Sequence, residues 1–250
     1  MSGHSKWSKI KRKKGATDSK RSQLFSRLSK EITIAVKEGG GGDPDMNARL
    51  RLAVQNAKGA NMPKDVIERA ISKGEKDESS YEFSTFEGYA PGGIAVFVEC
   101  LSDNNNRTVS AVRSIFTKHN GSLGTNGSLS FIFTRKGVFE IKKESVSIDM
   151  EELELELIDA GLEEIEYDES TITLTCAMED FGNIQKKLEE LSIEASNAEL
   201  KRIPVSTTEL PVDDAKKVIK LIDAFEECED VSVVYHNLEM TDELEHALEE

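Results

Sequence analysis

Up to Gly74 the apolar residues of this chain recur every three or four positions, and beyond the polar run KDESS, residues 76–80, they recur every two. That change of period forces a division, because a stripe of side chains fits a helix and alternating side chains fit a sheet. A helical segment comes first, and segments that mix strands with helices follow. The first helix gathers Leu24, Phe25, Leu28, Ile32, Ala35 and Val36 on one face, with Thr17 or Asp18 at its start and Gly39 at its end. Asp43 and Pro44 have the chemistry of a cap and first turn for a second helix with Met46, Leu50, Val54 and Ala57 inside. A third helix, from about Met62-Pro63 to Gly74, buries Val66, Ile67, Ala70 and Ile71. Between the first two helices, GGGGDP lacks the Gly-Lys-Ser/Thr that grips phosphate and magnesium, so it reads as a flexible turn. The same looseness argues against a helix-turn-helix, leaving Arg49, Arg51 and Lys58 to face outwards.

Past residue 80, Tyr81 to Tyr89 and Ile94 to Leu101 read as two strands around an APGG turn. Asn104 to His119 is helical by Val109, Val112, Ile115 and Phe116, and SLSFIF, residues 128–133, reads as a strand. From Lys136 to Pro204 the order is strand Val138–Lys142, helix Met150–Ala160, strands Ile165–Tyr167 and Thr171–Cys176, helix Phe181–Leu191 and strand Glu194–Ile203. This β-α-β-β-α-β succession is the ferredoxin-like plan. The helix Pro211–Phe225 and strand Val231–Tyr235 then lack partners of their own, and they supply what residues 81–135 still need. The expected fold is α+β: an amino-terminal three-helix domain plus two ferredoxin-like αβ domains, one inserted in the other. Its expected parts are 1–78, a basic arm and three-helix domain; 81–135 with 205–238, a discontinuous αβ domain; 136–204, the inserted one; and 239–250, an acidic tail read as an exposed or frayed helix.

Charge follows the same division. The chain carries a net −15, yet residues 1–78 hold 18 Lys and Arg against 10 Asp and Glu, a local +8, while 79–250 carry −23. Within the basic part, residues 1–21 concentrate Lys6, Lys9, Lys11, Arg12, Lys13, Lys14, Lys20 and Arg21 against Asp18 alone. A cationic block in an acidic protein fits a polyanion. Trp7, the single tryptophan, lies inside it, where an indole can stack on an unpaired base. A solvated basic tail is the plainer alternative. Arg27 extends the cationic surface along the first helix, and the loop DNNNRT places Asn105, Asn106 and Arg107 at a helix start, where amides and a guanidinium suit phosphate or a base edge. Capping and turn formation explain those asparagines equally well.

Cys100, Cys176 and Cys228 have no paired spacing, and four dispersed histidines offer no ligand pattern, so neither disulfide, metal nor cofactor is expected. The acidic run MEELELELI has the look of a solvated helix face rather than of two carboxylates held for acid-base work, and no serine stands in a nucleophile elbow. The chain reads as a non-enzyme. No apolar run is long enough to span a bilayer, which points to a cytoplasmic protein with no membrane partner.

The segments MSGHSKWSKIKRKKGATDSKR, GGGGDPDMNARLRLAVQNAKGANMPKDVIERAI, FEGYAPGGIAVFVEC, DNNNRTVSAVRSIFTKHNGSLG and SLSFIF closely resemble the YebC/PmpR family, whose relatives include a mitochondrial translational activator of cytochrome oxidase. The family's usual proline after Met-Asn is Ala48 here, a change confined to a helix start. The resemblance implies three domains and a regulator of gene expression that binds DNA in transcription. Its alternative implication is a ribosome-associated translation factor that binds ribosomal RNA. A flexible basic arm with one aromatic suits irregular or single-stranded targets. If the indole of Trp7 stacks on a base, Trp7→Ala weakens nucleic-acid binding by about 1–3 kcal/mol in a fluorescence titration. Unchanged affinity makes Trp7 a packing residue.

Overall fold

The computed structural model describes residues 18–76 and 81–249, with side chains described for 21–76 and 81–248. The chain divides into two units. Of the described residues, one comprises 25–76 and 135–202; the other comprises 18–24, 81–134 and 203–249.

In the first unit the helical stripe folds as its spacing dictates. Helices α1 (Asp18–Glu38), α2 (Ala48–Gly59) and α3 (Lys64–Lys76) enclose Leu28, Ile32, Val36, Leu50, Ala57, Ile67 and Ala70. The entry to α2 departs from the expected one. Asp43 makes a local turn with the Asp45 N–H, Met46 is 85 % exposed, and the cap is Asn47. Asn47 wins because one buried amide serves three backbone groups. Its Oδ1 accepts from Leu50 N at 3.0 Å, and its Nδ2 donates to Ala35 O at 2.8 Å and Gly41 O at 2.9 Å. The glycine loop, expected to be a loose turn, is thereby tied to the end of α1, with Gly40 and Gly41 supplying positive φ values of 90° and 134°.

The same unit contains β4 (Phe133–Lys142), α5 (Met150–Ile158), β5 (Leu162–Tyr167), β6 (Thr171–Ala177), α6 (Phe181–Glu190) and β7 (Asn197–Pro204), in the sheet order β5-β6-β4-β7. This is the ferredoxin-like arrangement. Alternate residues Ile172, Leu174 and Cys176 of β6 face Leu153, Leu157, Ile184 and Leu188 of the two helices. Helix α2 is bonded to the approach to β7: Gln55 Nε2 donates to Ala195 O, and Asn56 both donates to Ala198 O and accepts from Ala198 N, each at 2.9 Å. The amide of Asn56 imitates a strand's backbone pair. Gly59 permits the approach, since a Cβ there would lie 1.6 Å from Ser196 O.

The second unit is built on β1 (Glu82–Tyr89), β2 (Ala95–Ser102), α4 (Asn105–Lys118), β3 (Ser122–Leu123), α7 (Val212–Glu226), β8 (Val231–His236) and α8 (Asp242–Glu249). Its sheet order is β3-β1-β2-β8, with β1 antiparallel to both β2 and β3, and β2 antiparallel to β8. The order is again ferredoxin-like, but the strand that usually stands third in sequence comes first, joined to β2 by the APGG hairpin. The α+β class with three amino-terminal helices and two antiparallel sheets thus holds. Two elements differ. SLSFIF is not a strand: residues 127–132 form successive turns, Leu129 is fully buried, and strand structure resumes only at Phe133. The tail is a docked helix, with Met240 and Leu244 buried in the same core as Phe116 and Phe225.

Because Asn47 satisfies one donor and two acceptors in the interior, Asn47→Ala removes about 2–3 kcal/mol of stability in urea unfolding. Asn47→Asp keeps the cap but not the donors, and falls between wild type and Ala.

Candidate nucleic-acid interface

Lys6, Trp7, Lys9, Lys11, Arg12, Lys13 and Lys14 lie outside the described residues. Lys20 and Arg21 fall in the first turn of α1, where Arg21 is exposed. Arg27 is a different matter. It pairs with Glu31 at 3.5 Å with only 30 % of its side chain exposed, and its charge reaches Glu199 on β7. Glu199 also accepts from Asn197 at 2.7 Å and pairs at 3.2 Å with Lys201, which is 12 % exposed and 3.5 Å from Glu140. Burial alone would raise the Glu199 carboxyl, but Lys201, Arg27 and the Asn197 amide outweigh it and hold the group at about 2. Lys201 is raised: burial opposes its charge, and the two carboxylates overcome that. Arg27 therefore acts as an inward counter-charge rather than as part of an outward cationic row.

Four other helical cations are also engaged. Arg49 pairs with Glu38, Arg51 donates to Pro44 O and Asp45 O, and along α3 Lys64 pairs with Glu68 and Arg69 with Asp65. The exposed side of α3 consequently alternates in sign. A cleft of about 670 Å³ opens between α2 and α6 over Phe139 and Leu188. Its rim sets Arg51 and Lys58 against Glu189 and Glu194, so it offers no uniformly cationic wall to phosphate.

In the second unit the Asn-rich loop folds as a cap. Asn104 accepts from Arg107 N at 3.0 Å, beginning α4, while Asn105 and Asn106 are exposed on its first turn. Arg107 grips Asp230 with two bonds, Nε to Oδ2 at 2.9 Å and a terminal nitrogen to Oδ1 at 2.7 Å, and also reaches Asp103 at 2.9 Å. Thr108 Oγ1 adds a bond to Asp230 at 3.2 Å. The guanidinium planned for phosphate is thus paired in the free protein, although about half of it remains exposed. Hydrogen bonding by Arg107 lowers the Asp230 carboxyl, against the opposing effect of burial. Sequence gave no sign of this partner, which lies 123 residues away.

A second buried carboxylate also escaped the sequence reading. Glu87 on β1, 6 % exposed, accepts from Gly127 N at 2.7 Å, Leu129 N at 2.6 Å and Ser128 Oγ at 3.4 Å, and so shapes the 124–132 loop. Burial raises the Cys100 thiol to about 12, with Cys228 next in effect, and raises Cys176 to about 11. Both stay protonated at neutral pH and are not activated nucleophiles. Among the described residues no group of three His, Cys, Asp or Glu is placed to hold a metal ion, and no helix is long and apolar enough to cross a membrane.

A model of the TACO1/YebC N-terminal domain matches residues 5–77, and a model of the TACO1/YebC second and third domain matches 81–238. A "Probable transcriptional regulatory protein" of Chlorobaculum parvum is 50% identical over 253 residues, covering 100% of both chains. One of the same description from Amoebophilus asiaticus is 51% identical, over 95% of this chain and 98% of its own. The crystal structure of a conserved hypothetical protein from Aquifex aeolicus superposes with a TM-score of 0.78 at 41% identity, covering 90% of this chain and 93% of that one.

Asp230→Asn keeps the shape but removes the charge that Arg107 grips, and lowers stability by about 1–3 kcal/mol at neutral pH. The folded-state carboxyl lies below the ordinary 3.8, so its contribution is complete above that value and is lost as pH falls through the lowered one. Denaturation curves of wild type and variant therefore converge in acid, and a gap that persists there would refute the assignment.

Proposed function

Since the chain belongs to the TACO1/YebC family, we propose that it is a non-enzymatic, nucleic-acid-binding regulator of gene expression, working in the cytoplasm as a DNA-binding transcriptional regulator. The observation that carries this reading is the charge division: a local +8 over residues 1–78 in a chain of net −15. An acidic protein gains nothing in solubility from such a block, whereas a polyanion releases counterions on meeting it. The description of the relatives as probable transcriptional regulatory proteins supports DNA as the target.

One observation favours a second reading, an RNA-binding factor on the ribosome. Reading a major groove takes a helix that presents cations and amides outwards. Lys64 and Arg69 of α3 are instead matched with acids one turn away, and Arg49 and Arg51 of α2 are tied to neighbouring groups. Contact through a basic arm and loops suits irregular RNA better than it suits a groove.

With eight arm cations engaged, log affinity falls against log salt with a slope of roughly −6 to −7. A slope near zero, or one unaltered when Lys11 to Lys14 become alanine, removes the arm from binding. Sucrose-gradient sedimentation of cell lysate separates the two readings. A DNA regulator stays out of the ribosomal fractions; co-sedimentation that survives DNase and is lost with the arm cations replaces DNA with RNA.

A further inference from the structure

We infer that Phe131 is a stacking platform for an unpaired base of a single-stranded nucleic acid, an inference that rests on the nucleic-acid reading above and adds a contact away from the arm. Phe131 is 75 % exposed. Its surroundings are nonetheless rigid. The buried Glu87 carboxylate fixes Gly127 N and Leu129 N, and Glu87 O accepts from Gly124 N at 2.7 Å. Ser130 Oγ donates to Gly127 O at 2.9 Å, Ile132 N to Leu129 O at 3.0 Å, and Val205 N to Ile132 O at 2.8 Å. Leu129, fully buried, packs in a cluster with Ala95, Phe97, Phe133 and Tyr235. The residues on both sides of Phe131 are therefore anchored, and docking a ligand on the ring costs little ordering entropy.

Charge selects the ligand. From Asn104 to Thr134, within the unit that holds Phe131, there is not one Asp or Glu, although the chain holds 47 in 250 residues, and the same stretch carries Arg113 and Lys118 besides Arg107, which Asp230 and Asp103 already hold. A phosphate chain meets no fixed repulsion from this stretch. Besides Phe131 and Gly127, the exposed residues of the 124–132 loop are Thr125, Asn126 and Ser130, hydroxyls and an amide. An aromatic anchor for a protein partner would sit at the centre of an apolar patch. Phe131 and the exposed Val205, whose N–H bonds Ile132 O, make a small apolar spot flanked by polar groups, which suits a base, whose face stacks and whose edge and sugar take hydrogen bonds.

The test uses the full chain with a 12-nucleotide RNA, the DNA strand of the same sequence, and the corresponding duplex, each followed by fluorescence anisotropy at one salt concentration. Phe131→Ala is expected to weaken single-strand binding about 5- to 150-fold. Phe131→Trp retains affinity, the duplex is unaffected, and thermal unfolding is unchanged because the ring is exposed. Single strands bearing 5-iodouracil should crosslink to the peptide containing Phe131, and the RNA and DNA arms identify the natural source of the base. If the wild-type chain binds single strands and Phe131→Ala binds them equally, this inference falls while the reading above stands. Equal losses on single strand and duplex also overturn it. If the wild-type chain binds none of the three, both fall together.

Discussion

A polar side chain taken out of water must find partners for every atom, and three of them set the irregular parts of this molecule. Asn47 closes the glycine loop onto α1 and starts α2. Glu87 gathers the backbone N–H groups of the 127–129 turn. Asp230 fixes the entry to α4 through Arg107 and Thr108. None is a core residue in the hydrophobic sense, yet each decides a loop that apolar spacing leaves undetermined. The penalty for leaving such groups unpaired, about 1–3 kcal/mol each, is as large as that for a missing core methyl or two.

The same contrast explains what was legible in the sequence. Helices α1 to α3 and the β-α-β-β-α-β run follow from periodicity, because Ile32, Leu50, Ile172 and Leu174 repeat at the spacing of their own element. The SLSFIF segment carries a strand-like alternation too. It became a run of turns because Glu87, about 40 residues earlier, claims the N–H groups a strand would have used. Asp43 and Asn47 both have capping chemistry, and only the position of the Ala35 and Gly41 carbonyls chooses between them. Arg107 looked available for phosphate since its partner, Asp230, comes from the distant turn between α7 and β8. The candidate cations of the arm were evident from composition. Which helical cations are already paired was not, since ion pairs such as Arg49 with Glu38 depend on where a loop returns.

The cluster of Glu140, Glu199, Lys201 and Arg27 shows how an acidic domain can keep a basic helix. Four charges at the edge of water need one another: Lys201 pairs with both Glu140 and Glu199, and Glu199 is held ionised by Lys201 of its own strand and by Arg27 of α1. The Glu199 share of this attraction is complete above its unfolded value of 4.5 and is lost only as pH falls through about 2. Neutral solution is well inside the range where the cluster holds.

The insertion of one ferredoxin-like unit into another carries a consequence for synthesis. Strand β2 pairs with β8 in a register that places Val96 opposite His236, 140 residues later. The inner sheet closes as soon as β7 is made, at Pro204. At about 5–20 residues per second, β2 waits about 7–28 s for its partner. Until Glu226 is made Val96, Val98 and Cys100 lack α7 over them, and until His236 they lack β8 beside them. An unpaired apolar edge is where chains associate wrongly. The nascent outer unit is therefore the part of this protein most exposed to aggregation, and an inner unit that folds early brings its two ends, β4 and β7, side by side to shorten the search.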